Sequence, residues 1–169
     1  MAVPMFPGNT ERYDPYRTFK FQVLIDGQPV AGLKKMTALK KTTEAVDWRT
    51  AGDPTHVRKL PGATKYAEVS LEQGLTHDPV FEKWANAVNN IEGDAAMSLK
   101  GFRKTIVINV MNLQGQVAIS YKLHRAWVSE YQALPDFDAG TTNAVGIQSI
   151  KLVHEGWERD ASVLEPTES

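Results

Sequence analysis

The sequence predicts a mainly β protein: a small β-barrel or sandwich of about seven strands, with one flanking α-helix and a projecting β-hairpin arm. Three observations carry this. Apolar and polar residues alternate with period two in repeated segments along the 169-residue chain, and Gly, Asn, Asp or Pro turn signals separate them. Only the stretch after Asp78–Pro79 has helical periodicity. Finally, residues 40–63 read as extended but are too polar for a buried strand.

Residues 1–16, with Pro4, Pro7, Gly8 and Pro15, suit a flexible lead-in. From Arg17 the alternation begins, with Phe19, Phe21, Val23 and Ile25 on one face and Thr18, Lys20, Gln22 and Leu24 on the other. Asp26–Gly27 is a hairpin turn signal, and a second strand is expected over about Val30 to Leu39. The arm follows, turning at Ala51–Gly52–Asp53–Pro54. Its own contacts are too few to repay the ordering of its backbone, so it is expected to pack on something else.

Pro61–Gly62 reads as a turn that ends the arm, sets its angle and feeds the next strand. In that strand Lys65, Ala67, Val69 and Leu71 alternate with Tyr66, Glu68, Ser70 and Glu72, and Gly74 closes it. Asp78 as N-cap and Pro79 as first helical residue open the helix. Val80, Phe81, Trp84, Ala87, Val88 and Ile91 share its apolar side, and Gly93 is expected to end it, giving a helix over about 79–92.

Three further strands complete the domain. Ile106, Ile108 and Val110 alternate with Val107 and Asn109 before a turn at Asn112–Gly115. Val117, Ile119, Tyr121 and Leu123 alternate with Ala118, Ser120, Lys122 and His124. After a loop from Pro135 to Asn143, a last strand spans about Val145 to Glu158, with a parity change between Ile147 and Ile150 that suggests a bulge. The domain therefore covers 17–159, and 160–169 is a polar tail.

The chain is long enough to bury a core, and its formal net charge of -1 gives no general pull toward nucleic acid or anionic lipid. No cysteine is present, which excludes disulfide and thiolate chemistry. No apolar run approaches the ~20 residues of a membrane span. The N-terminus has neither the basic nor the apolar region of a secretory signal, so a protein made without Sec-type export is expected.

No catalytic, cofactor or metal site is expected. A Gly-rich phosphate loop and a G-x-S-x-G elbow are both absent. His154 and Glu155 are adjacent on a strand and point to opposite faces, so they do not converge on an ion. Asp136 and Asp138 lack the further ligands of a cation loop and fit an Asx-turn instead. Trp84 is assigned to the core, and Trp127 and Trp157 to core or subunit interface.

Trp48, on the polar arm, is either shielded within the hairpin or an anchor against another chain. Arg58, Lys59 and Lys65 form a basic cluster near Lys40 and Lys41, offset by Glu44, Asp47, Glu68 and Glu72. Ion pairing between subunits suits this balance better than specific nucleic-acid recognition.

The order of these pieces resembles a known family. Tyr16–Val23 leads to Gly32–Leu33, and a polar ribbon with Glu44 and Trp48–Arg49 precedes Lys59–Leu60–Pro61–Gly62. Then come Leu71–Thr76, the helix with Phe81 and Trp84, and Val145–Gly156. Over residues 16–159 this is similar to the tail tube proteins of contractile phages and phage-like contractile injection systems. One departure is Ala45–Val46–Asp47–Trp48–Arg49, where many relatives carry an Ile/Val–Glu–Tyr–Arg–Asp/Glu run.

The resemblance implies a structural, non-enzymatic protein. Its hexameric rings would stack into a hollow tube inside a sheath that drives the tube through a target envelope. The implied partners are further copies of itself, sheath protein, baseplate and tube-terminator proteins, and cargo or effector in the lumen. Assembly would occur in the bacterial cytoplasm, in a phage tail or tail-like particle that is released or membrane-anchored. Glu44, Asp47, Trp48, Arg49, Arg58, Lys59, Pro61 and Gly62 would form the arm that contacts neighbouring subunits. Alternatives within the same fold are a tube-initiating or baseplate-adaptor ring and an effector-carrying ring protein of a type VI secretion system. A hydrolase or lectin-like sandwich lacks its triad, metal set or aromatic platform.

Three polar strand faces are candidates for the bore: Thr18, Lys20 and Gln22; Glu68, Ser70 and Glu72; Ser120, Lys122 and His124. Their mixed signs would limit sticking of charged cargo.

Overall fold

The computed structural model describes residues 5–52 and 54–169. Residues 1–4 of the expected lead-in and Asp53 of the expected arm turn lie outside the described residues. Among the described residues, ten strands, one α-helix and a short 3-10 turn at Asp94–Ala96 follow in the order of the chain. The strands are β1 (Phe21–Ile25), β2 (Gln28–Pro29), β3 (Leu33–Met36), β4 (Lys41–Trp48), β5 (Arg58–Tyr66) and β6 (Val69–Gly74). After α1 (Val80–Val88) come β7 (Lys104–Met111), β8 (Val117–Gln132), β9 (Ile147–Val153) and β10 (Trp157–Arg159).

Eight strands form one antiparallel sheet in the order β2-β1-β7-β8-β9-β6-β3, with β10 also on β8. Its path ends at β2 and β3, so it does not close into a barrel, and the architecture is sandwich-like. The long β8 makes this possible. Its first half pairs with β7 (Ile106 opposite Leu123) and its second half with β9 (Val128 opposite Leu152). Between the halves, Arg125 takes a left-handed φ of 53°, and the buried parity changes from Leu123 to Ala126 and Val128. A bulged strand of this kind bends and serves both layers.

The core lies between the layers. Val23, Ile25, Ile106, Ile108 and Leu123 face Val69, Leu71, Ile150 and Leu152, and Phe81 and Trp84 of the helix close one side. Full burial of each such side chain contributes about 1.5–3 kcal/mol. The β1–β2 turn is as expected, with Asp26 (φ 54°) and Gly27 (φ 82°) both left-handed, the signature of a type I′ hairpin.

Several expectations need correction. Phe19 precedes β1 and is exposed. The strand expected over Val30–Leu39 is reduced to β3, because Gly32 (φ 68°) turns the chain just before it. The helix stops at Val88, well before Gly93, and Ile91 is fully exposed. The reason is local: Asn89 is extended, and the Asn90 Oδ1 accepts the Glu92 N–H at 3.0 Å, an alternative to the next helical bond.

The bulge expected in the last strand sits instead in its partner, between Val128 and Glu130 of β8. β9 alternates regularly because Gln148, a polar residue, faces the core together with Ile150 and Leu152. Its amide is satisfied there. Gln148 Nε2 donates to Gln73 Oε1 at 2.8 Å, Tyr131 Oη donates to Gln148 Oε1 at 3.3 Å, and Gln73 Nε2 donates to the Ala31 carbonyl. Buried polar groups persist where they are paired in this way.

The two terminal segments meet. Glu165 accepts the Gly8 N–H (2.7 Å) and the Asn9 Nδ2 (2.8 Å), Arg12 pairs with Glu168, and Phe6 is buried. Asp160 anchors the tail, donating its N–H to the Ser120 carbonyl at 2.8 Å and taking Ser162 Oγ–H and N–H on its carboxylate. The Ser162 hydroxyl, foremost, holds the Asp160 carboxyl below its ordinary value, assisted by the Ser162 N–H and by Lys122 at 3.4 Å. A depressed folded value means a stabilisation present above the unfolded carboxylate value of about 4 and lost as pH falls through the folded one. Ser162→Ala is expected to raise the Asp160 midpoint in an NMR carboxyl titration, and an unchanged midpoint would contradict this account.

Candidate functional site

β4 and β5 form a sheet of their own, and every residue of β4 is exposed. The pair is the expected arm. Its root is aromatic: Tyr66 packs edge-on to Trp157 at 6.2 Å and tilted to His154 at 5.9 Å, and Trp157 meets Tyr121 at 5.8 Å. Gly156 (φ 140°) lets the chain pass this cluster, where an added Cβ would lie 3.4 Å from the Tyr66 ring. The buried His154 sets Nε2 at 3.0 Å from the Ala67 carbonyl oxygen, while its Nδ1 has no partner among the described residues. Glu155 is exposed and pairs with Arg125 at 3.0 Å, so the two adjacent residues do not converge.

Cross-strand register sorts the arm residues onto two faces. One carries Asp47 opposite Lys59, which form an ion pair, with Thr43 hydrogen-bonded to Thr64 at 2.9 Å. The other carries Val46 opposite Leu60 and Trp48 opposite Arg58. Arg49 lies just beyond β4, at the tip.

Pro61 and Gly62 are not a turn. They lie within β5, where the register shifts between Thr43 and Ala45 and Glu44 faces the extra residues. Gly62 is required by contact: a Cβ there would sit 2.8 Å from Val46 Cγ2 and 3.3 Å from the Glu44 carbonyl. Proline is tolerated because a two-stranded ribbon has unpaired outer edges. The chain reverses instead at the tip, where Gly52 has φ 91°.

Trp48 is 46% exposed, and Val46 and Leu60 on the same face are similarly open, so the arm carries an apolar stripe uncovered by its own subunit. Leu60 is not among the expected site residues. Its signal is faint, since it joins Val46 only once the strand pairing is known.

The bore candidates fall on two different outer faces, because both layers turn their apolar sides to one core. Gln22, Ser120, Lys122 and His124 belong to the β1–β7–β8 layer, and Thr18 and Lys20 precede it. Ser120 must be withdrawn as a solvent-facing residue: it is 3% exposed, and its hydroxyl donates to Asn109 Oδ1 at 2.9 Å. Lys122 and His124 are engaged by Asp160 (3.4 Å) and Glu158 (3.0 Å). Glu68, Ser70 and Glu72 lie on the other layer, where Lys151 is 3.8 Å from Glu68 and 3.3 Å from Glu130.

The family model described as T4-like virus tail tube protein gp19 matches residues 17–158, the whole body and arm. The chain belongs to this tail tube family. Its role is therefore that of a structural tube subunit. No curated protein matches it in sequence.

Solved structures share the fold. A chain of an extracellular contractile injection system, the PVC sheath-tube complex in its extended state, is 19% identical with a TM-score of 0.71, over 87% of this tail tube protein and 92% of that chain. A chain of the anti-feeding prophage tube-terminating cap is 23% identical with a TM-score of 0.72, over 88% and 93%. Hcp1 from Flavobacterium johnsoniae is more distant, at 13% identity and a TM-score of 0.53, over 88% and 100%. Among the described residues, no helix is long and apolar enough to cross a membrane.

Proposed function

We propose that this tail tube protein assembles as hexameric rings that stack into the hollow inner tube of a contractile particle, and that it acts without catalysis. The observation that carries the reading is the arm: Val46, Trp48 and Leu60 form an open apolar stripe on one face of a ribbon that, among the described residues, pairs with no other strand. Such a stripe is a protein interface in waiting. Glu44, Asp47, Trp48, Arg49, Arg58, Lys59, Pro61 and Gly62 build that arm. Sheath, baseplate and tube-terminator proteins are its further partners, assembly takes place in the bacterial cytoplasm, and cargo occupies the lumen. Glu68, Ser70 and Glu72, on the layer that the terminal segments leave open, line the bore.

Negative-stain microscopy of the purified protein tests this. Long uniform tubes are the expected result. Discrete rings that never stack would favour the adaptor or effector-carrying ring, and a strict monomer at high concentration would overturn the proposal.

A further inference from the structure

We propose that the loop joining β8 to β9, residues 133–146, is the seat on which the arm of the next copy along the tube docks. This rests on the tube reading above. The first argument is position. β6 and β9 pair from Val69 opposite Leu152 to Gly74 opposite Ile147. The arm is rooted at the first end, beside Tyr66, Ala67 and His154, and the loop leaves from the second, where the Leu75 N–H donates to the Gly146 carbonyl at 3.0 Å. With a strand rise of about 3.3 Å per residue, the two features sit roughly 17 Å apart along the strands, at opposite ends of the layer. A projection at one end and a seat at the other is the head-to-tail arrangement that generates an open filament.

The second argument is chemistry. Phe137 is 71% exposed and borders one surface recess with the equally open Val145, so the loop offers apolar surface to match the arm stripe. Charges match as well. The arm, residues 41–66, has five Lys/Arg against three Asp/Glu, whereas the loop has Asp136 and Asp138 and no basic residue. Exposed Leu99 is a poorer seat, since Lys100 and Arg103 beside it would repel a basic arm. The loop is also held in shape. Asp138 Oδ1 accepts the Gly140 N–H at 2.9 Å, which closes an Asx-turn next to Phe137 in the chain. A preordered seat loses little entropy on docking.

The cysteine-free chain allows a direct test on the full-length protein. Single variants Trp48→Cys and Phe137→Cys are mixed, assembled and treated with a short bismaleimide. The expected product is a two-chain adduct joining positions 48 and 137, absent when Leu113→Cys replaces the Phe137 variant. In parallel, Phe137→Ala is expected to raise the concentration needed for tubes at least tenfold, with thermal melting unchanged because the side chain is exposed. Normal tubes without the 48–137 adduct, or Phe137→Ala tubes of ordinary yield, overturn this inference and leave the tube reading standing. Failure of the unsubstituted protein to form tubes overturns both.

Discussion

Replacing Trp84 by alanine is expected to cost about 3–5 kcal/mol of stability. The side chain is 1% exposed and ties α1 to the sheet in two ways. Its rings fill the core against β8, and its Nε1–H donates to the Phe102 carbonyl at 2.7 Å. Alanine removes the packing, leaves a cavity and orphans that carbonyl. Because a domain of this size has only about 5–15 kcal/mol in all, much of the population would unfold near physiological temperature. Urea denaturation followed by circular dichroism measures it. Trp84→Phe should cost clearly less, since most of the volume stays. A loss below about 1 kcal/mol for the alanine variant would show that the helix is not a core element.

The second large effect concerns assembly rather than folding. Trp48→Ala combined with Arg49→Ala is expected to abolish long tubes while shifting the stability of the isolated subunit by no more than about 0.5 kcal/mol. Both residues lie at or next to the end of β4, outside the core, and Trp48 belongs to the open stripe. Truncating an interfacial tryptophan typically costs about 2–4 kcal/mol of association energy, and a ring would repeat that loss at every copy. Sedimentation and tube-length distributions, set beside thermal melts of the dissociated subunit, separate the two effects. Tubes of unchanged length would rule out the arm as a stacking device.

The same two tryptophans mark the limit of what local pattern reveals. Trp84 is placed in the core by its spacing from Phe81 and Val88 alone, because a helix face is decided by residues three and four apart. The open stripe around Trp48 needs Leu60, which joins Val46 only after a bulge at Gly62–Ala63 has set the register. Pro61 and Gly62 read locally as a turn, and it is the pairing of Pro61 with Ala45 and the close approach of Gly62 to Glu44 and Val46 that keep them inside a strand.

By itself the sequence determined the strand-rich class, the Asp26–Gly27 hairpin, the single amphipathic helix, the detached polar arm and, through the order of these pieces, the family. All of these rest on neighbours a few residues apart or on an order read directly along the chain. The tertiary structure alone decided the rest. It bends β8 at Arg125 so that one strand serves two layers, and it turns Gln73 and Gln148 inward as a hydrogen-bonded pair. It buries Ser120 against Asn109 beneath the tail, and it draws Arg12 to Glu168 across nearly the whole chain. Each of these depends on register or on a partner far away in sequence. A one-residue shift in a strand sends every later side chain to the opposite face, so local alternation cannot foresee it.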